Sequence, residues 1–380
     1  MNKNLKYFIL SMIMLTIQEQ SVVAYDAIHE KNMHNEVTTT SPDYTFKMDF
    51  TMLFLKAAGD SDYACEAYFL PALSPHWETF DLTTNHNFAF DLGFQTIFHG
   101  SDTIGMANWE HLRSSTTAAQ NVAVAGDMIG AFSFVGPDDK YFTRATASTS
   151  FSFDQFNARY GQMLQIGNKL NANIFAGLNF SRIHQTMIRT YHGIADSTDT
   201  FTVPDNTPFT RTMITPTTFS GTGPEFGCDF NFNIHKGLQF VGQATVGLLA
   251  GSIKNHTEFI TQGAATTALL VTGEQSPTNL NAQQIIVPNI VAIVPEFSQR
   301  IGMAFEHEFR NHCAAHFEIG YQAQLFMNAL QSVDMASEID FTAESQAPAV
   351  AMVGVFVKTM KREVHNFSVS GPYFKINMSF

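Results

Sequence analysis

The chain has 380 residues, 45% of them hydrophobic and only 14% charged, with a formal net charge of −13. An acidic balance of this size excludes nucleic-acid binding through phosphate neutralisation. A chain with 36 Phe also has too much apolar surface to stay disordered. Past the N-terminus there is no run of about 18 apolar residues, so the sequence predicts no membrane-crossing helix.

Residues 1–24 read as a cleaved secretory signal. Lys3 and Lys6 supply the positive start, Tyr7 to Ile17 the apolar stretch, and Val22-Val23-Ala24 a small-residue cleavage site before Tyr25. Loss of two Lys and one Glu takes the mature chain to −14. No Cys follows the apolar stretch, so no lipid anchor is expected. Residues 25–43 are assigned to a periplasmic segment and 44–380 to one β-domain. The three cysteines, Cys65, Cys228 and Cys313, have no zinc-like spacing, and export allows disulfides among them.

From residue 44 the apolar residues recur at every second position, which is the strand period. Tyr44, Phe46, Met48, Phe50, Met52 and Phe54 alternate with Thr45, Lys47, Asp49, Thr51, Leu53 and Leu55. Phe88, Phe90, Leu92, Phe94 and Phe98 alternate with Ala89, Asp91, Gly93 and Gln95. Residues 103–113, 142–166 and 171–189 are strands with weaker alternation, and 212–224 extends the next one. Phe226, Cys228, Phe230, Phe232 and Ile234 then alternate with Glu225, Gly227, Asp229, Asn231 and Asn233. A turn at His235-Lys236-Gly237 leads into Leu238, Phe240, Ala244, Val246 and Leu248 on one face. Phe297, Ile301, Met303 and Phe305 alternate with Glu296, Ser298, Arg300 and Glu306. After a turn near 310, Phe317, Ile319, Tyr321 and Leu325 alternate with Glu318, Gln322 and Gln324.

The count is about ten strands, with eight to twelve allowed. Short links near 99–102, 167–170, 235–237 and 308–312 alternate with long ones near 57–85, 114–141, 190–211, 255–286 and 328–363. Short turns at one end, long loops at the other and an even strand number predict a transmembrane antiparallel β-barrel. The chain closes on GPYFKINMSF. There Phe374, Ile376, Met378 and Phe380 share one face, as in the strand by which barrels are recognised for insertion, and Lys375 and Asn377 share the other. In such a barrel the apolar face meets lipid and the polar face lines the lumen. The lumen-facing candidates are Asp91, Glu225, Asp229, Glu296, Arg300, Glu306, Glu318 and Gln322. They read either as a charged selectivity filter or as a salt-bridge network filling a narrow barrel.

Four stretches carry a family resemblance: FAFDLGF with NWEHL (88–112), GTGPEFGCDFNFNIHKGLQFVGQATVGLLAG (221–251), FEIGYQAQLF (317–326) and VSGPYFKINMSF (369–380). They resemble the Legionella major outer membrane protein family. The resemblance implies a porin-like barrel of a Gram-negative outer membrane that passes small solutes and is cross-linked between chains through cysteine, of which this chain has three. The alternative is a non-conducting surface barrel whose long loops mediate adhesion or host interaction. Expected partners are outer-membrane lipid and lipopolysaccharide, the barrel assembly machinery and further copies of the chain.

Two motifs carry no weight. His307 to His312 is one residue too long for H-E-x-x-H and falls on a strand end. Gly221, Gly223 and Gly227 are interrupted by Pro224 and no helix pattern follows, so they read as glycines relieving crowding in a strand rather than a nucleotide loop. His76, His86, His192 and His256 fall in predicted loops, with no catalytic order among them. No enzyme activity and no cofactor or metal are expected.

Overall fold

The structure, a computed structural model, describes residues 44–68, 76–98, 100–121, 128–130, 134–135, 141–167, 169–195, 207–235, 237–263, 282–308, 314–342 and 352–379. Residues 1–43, where the sequence predicts a signal and a periplasmic segment, lie outside the described residues, as do Arg310, Asn311, His312, Cys313 and Phe380.

In chain order the strands are β1 (Tyr44–Ala58), β2 (Asp62–Tyr68), β3 (His76–Asp81), β4 (His86–Phe98), β5 (Thr103–Asn121), β6 (Met128–Gly130), β7 (Phe134–Val135), β8 (Tyr141–Ile166), β9 (Leu170–Ala195), β10 (Thr207–His235), β11 (Leu238–Gly263), β12 (Ala282–Ile286), β13 (Ile290–Glu308), β14 (Ala314–Thr342) and β15 (Met352–Ser379). Ten of them close an antiparallel ring in the order β1-β4-β5-β8-β9-β10-β11-β13-β14-β15 and back to β1. The seam joins first strand to last, with Phe50 opposite Ile376 and Met52 opposite Phe374. Inside the barrel the same two strands are tied by side chains. Asp49 accepts hydrogen bonds from Gln95 Nε2 at 2.7 Å and from Asn377 Nδ2, with Lys375 Nζ at 3.6 Å.

The period-two pattern sets which face is which. Phe46, Met48, Phe50 and Phe54 are all about two-fifths to one-half exposed, while Leu53 and Leu55 on the opposite face are fully buried. Phe226, Val246, Leu248, Ile301, Phe305, Ile319 and Tyr321 continue this exposed apolar belt around the ring. Eleven residues of β1, from Tyr44 to Phe54, give a belt about 25 Å tall at the usual rise and tilt, the height of a hydrocarbon core. The short turns cluster below it. Gly237 takes φ +77 there, where an L side chain would be strained and a Cβ would press on the Glu306 carbonyl.

The connections at the other end are shorter than the sequence predicted, because the strands run on. β8, β9 and β11 have 26 residues and β10 has 29, against about ten needed to cross a membrane. Their outward residues above the belt are mostly polar: Thr146, Ser148, Ser150 and Ser152 on β8, and Thr212 and Thr218 on either side of Ile214 and Pro216 on β10. Beyond the lipid the outward face need not be apolar, so the alternation fades while the backbone pairing continues. His86, His192 and His256, expected in loops, therefore sit on β4, β9 and β11, and His76 on β3. The excess strand stands on the order of 30 Å above the belt. β6 pairs onto the upper end of β8 and carries the β2–β3 hairpin through β2, while β7 pairs onto β14 and β12 onto β11.

Gly221, Gly223 and Gly227 lie within β10. A Cβ at Gly223 would collide with the Leu248 carbonyl, and one at Gly227 with the Phe175 ring. These glycines are packing positions, not a phosphate loop.

Candidate functional site: the lumen

The lumen is divided into three levels. Lowest is a cavity of about 660 Å³, lined by Asp49, Asp91, Arg159, Asp229, Arg300, Glu306 and Glu318 among others. Glu306 is exposed and accepts from Gln239 Nε2 at 3.1 Å. Glu318 accepts from the Tyr373 hydroxyl and has His316 Nε2 at 3.6 Å. Asp229 accepts from Asn173 Nδ2 at 3.3 Å.

Above the cavity a polar layer crosses the barrel from wall to wall. Arg300 on β13 donates to Asp91 on β4 at 2.8 Å, to Glu110 on β5 at 3.2 Å and to Gln322 on β14 at 2.7 Å. Gln322 in turn donates to Glu110 at 2.8 Å. Gln155 on β8 donates to Glu296 on β13 at 2.6 Å, and Asn179 on β9 also donates to Glu296. β5 and β13 stand five places apart in a ring of ten, so these bonds bridge opposite walls. Arg159 binds Glu225 through two nitrogens, at 2.7 and 3.2 Å, and lies over the Phe175 ring at 4.9 Å. Glu110 and Glu225 are fully buried. Charges taken this far out of water persist only when paired and hydrogen-bonded, as these are.

The third level is apolar. Leu53, Leu55, Leu112, Phe151, Phe153, Ile183, Phe219, Phe326 and Phe367 form one cluster in which no member exceeds 4% exposure. Phe153 on β8 meets Phe326 on β14 at 5.5 Å between centroids and Phe367 on β15 at 5.6 Å. Phe151 meets Phe367 at 5.8 Å. These strands are on opposite sides of the ring, so the rings meet across the lumen. β14 helps by bending inward. Its register shifts between Phe326 and Leu330, with Asn328 in the left-handed region at φ 57. Residues 329–333 are then all buried, and the Gln331 carbonyl accepts from Thr217 on β10 at 2.6 Å and from Asn255 on β11.

The eight lumen candidates read from the sequence thus all point inward, and six of them join the cross-lumen bonds or the Arg159 pair: Asp91, Glu225, Glu296, Arg300 and Gln322 directly, with Glu318 reaching the layer through Tyr373, whose ring lies under Arg300 at 5.9 Å. Phe374, Ile376 and Met378 face outward. Sequence reasoning missed Glu110, Arg159, Gln155 and Asn179, which lie on the strands with weak alternation. It also missed the apolar seal. The available signal was apolar residues on both faces of one strand, as where Phe153 and Phe156 point to opposite sides of β8. Of the cysteines, Cys228 is free and exposed on the outer face of β10.

At the upper mouth the start of the β2–β3 hairpin is held by β9. Arg189 donates to both Asp60 carboxylate oxygens at 3.1 Å and to the Asp62 carbonyl at 2.9 Å, and Tyr191 donates to the Tyr63 carbonyl at 2.5 Å. Across the hairpin Asp62 faces Asp81. A hydrogen bond shared with Asp81, then burial and the charges of Asp81 and Asp60, push the Asp62 carboxyl up to about 6, against the pull of Arg189. A carboxyl whose folded value is raised stabilises the folded form most below its unfolded value near 3.9, and that contribution is lost as pH rises through about 6. Amide exchange at Tyr63 and Leu82, corrected for intrinsic rate, should be slower at about pH 4 than at about pH 7. Asp62→Asn should remove most of the difference, and an unchanged pH dependence in that variant would refute the assignment.

A family model described as Legionella pneumophila major outer membrane protein precursor matches residues 38–380. No curated protein matches the chain. Among solved structures, the outer membrane protease OmpT of Escherichia coli aligns at 9% identity and TM-score 0.38, over 91% of this chain and 99% of its own. The Pseudomonas putida toluene transporter TodX aligns at 8% identity and TM-score 0.23, over 90% of each chain.

Proposed function

Because the chain belongs to the Legionella major outer membrane protein family, a set of outer-membrane proteins, we propose that it is a surface barrel sealed to solutes in its resting form, which works through the strands and connections standing above the membrane. One observation carries this reading: hydrogen bonds and aromatic contacts join opposite walls of the lumen at two successive levels. A water-filled path would need both levels to part. Ten strands also lie near the narrow end of the scale, where side chains fill the interior. No catalytic step is assigned to the chain.

The surface role predicts that replacing residues 264–281, the connection after β11, by a short Gly-Ser turn lowers the adhesion of bacteria carrying the protein to host cells or matrix. Barrel assembly and solute exclusion should stay as they were. Unchanged adhesion after each long connection has been shortened in turn would count against a surface role.

Porin-like passage of small solutes is the second reading, favoured by the charged lower cavity. It requires the apolar level to open. Seven acidic and four basic side chains line that cavity, so an opened form would pass cations in preference to anions. Liposome swelling in a small sugar separates the two readings. Swelling at the rate of an open porin supports passage, and no swelling supports the sealed barrel.

A further inference from the structure

At the height of the apolar seal, the outer surface of the barrel carries a group of basic side chains with few acids among them. Leu112, Phe153 and Ile183 point into the seal, so their neighbours in sequence point out. Those neighbours are His111 and Arg113 on β5, Asp154 on β8, and Arg182 and His184 on β9. Lys56 and His86 face outward as a cross-strand pair on the adjoining β1 and β4. On each strand these residues come directly after the last aromatic of the lipid belt: Phe54, Phe88, Trp109, Phe156 or Phe180. Phe90, Trp109 and His111 form one ring cluster at 5.2–5.9 Å, and Phe156 and Phe180 pair at 6.2 Å beneath Asp154 and Arg182. Aromatic side chains of this kind mark the level of lipid headgroups.

The group has one acid, and it is occupied: Asp154 Oδ1 lies 2.7 Å from His111 Nδ1. Arg113 and Arg182 are exposed, and neither forms an ion pair among the described residues. Further round the ring the outward positions are mostly neutral: Ser220 and Thr222 on β10, Ala250 and Ser252 on β11, Val291 and Ile293 on β13, and Asn366 and Ser368 on β15, with Lys254 on β11 the exception, in register with His184 through Thr218. An acidic chain has thus gathered basic side chains on one face, and two of them, Arg113 and Arg182, are free of ion pairs among the described residues. Arg113 is opposite Ser152 on β8, and Arg182 is opposite Asp154. With β8 between them, strand spacing and rise put the two arginine positions about 12 Å apart.

We propose that this face binds a phosphorylated glycolipid of the outer leaflet, with Arg113 and Arg182 each taking a phosphate at one end of the sugar headgroup. The acyl chains then run down the face of Phe156, Phe180 and Trp109. Guanidinium forks suit phosphate oxygens, and a membrane interface weakens competition from water. The Asp154 carboxylate stays turned to His111, which keeps the anion from a like charge. The inference needs only the membrane placement and is independent of whether the lumen conducts.

The test uses the full-length refolded barrel in mixed micelles, with bis-phosphorylated lipid A and the same glycolipid stripped of phosphate as probes. Native mass spectrometry counts the lipid retained per chain. The protein should retain the phosphorylated form and not the stripped one. Arg113→Gln with Arg182→Gln should weaken retention by about tenfold or more. Arg362→Gln, an exposed cation on the upper part of β15, eight residues above Ser370, the partner of Lys56, should leave it unchanged. Equal retention of both glycolipids, or undiminished retention by the double variant, would overturn the proposal. Heat-dependent gel mobility reports whether each variant has folded. Should the double variant fail to fold, Arg113→Gln and Arg182→Gln are read singly, each expected to weaken retention several-fold.

Discussion

Truncating Phe153, Phe326 and Phe367 together to alanine is expected to convert a barrel that holds back ions into one that leaks them. The three rings meet one another across the lumen at 5.5–6.0 Å and are fully buried. They come from β8, β14 and β15, so their removal empties the middle of the apolar level rather than one wall. Each Phe→Ala change in a close-packed core costs about 3–5 kcal/mol, and the folded population has to be isolated before measurement. Potassium efflux from loaded proteoliposomes reads the outcome. The variant should leak, and the outer-face pair Phe156→Ala with Phe180→Ala should not. A folded triple variant that stays tight would mean that the polar layer alone is the barrier.

Replacing Arg300 by methionine is expected to destabilise the barrel by about 3–5 kcal/mol, the cost of stranding buried charge. Its guanidinium ties β13 to Asp91 at 2.8 Å and to Glu110 at 3.2 Å, carboxylates whose side chains are 5% and 1% exposed. Without it the two carboxylates face each other's charge with no cation between them. Urea unfolding in lipid vesicles should show the lowered midpoint. Adding Asp91→Asn and Glu110→Gln should recover much of the loss, because neutral amides leave no charge unpaired. If Arg300→Met alone unfolds at the same midpoint as the parent chain, the network is not what holds the polar layer.

Much of this architecture can be read in the residues themselves. Phe226, Cys228, Phe230, Phe232 and Ile234 share one face because a lipid-facing strand needs its apolar groups at every second position. The same rule places Glu225 and Asp229 inside. The upper halves of β8 to β11 were hidden for a physical reason. Above the lipid their outward residues become mostly polar, Ser and Thr on β8 and Lys254, His256 and Glu258 on β11, and the contrast between the two faces fades although pairing continues. The partners inside the lumen were hidden for another reason. Gln155 and Glu296 are 141 residues apart, and Gln324 and Glu110 are 214 apart. Such pairs follow from where the ring closes, not from spacing along the chain. The seal itself breaks the alternation, as in Leu53 and Leu55 opposite Phe54. In a lipid-facing strand those leucines look like imperfections of the polar face. In the barrel they are its stopper.

The sealed lumen is tested most directly by recording current through the refolded wild-type protein in a planar lipid bilayer at neutral pH. The structure predicts a baseline without unitary steps while insertion is verified by heat-dependent gel mobility. Steady, reproducible conductance steps from the folded wild-type chain would contradict it.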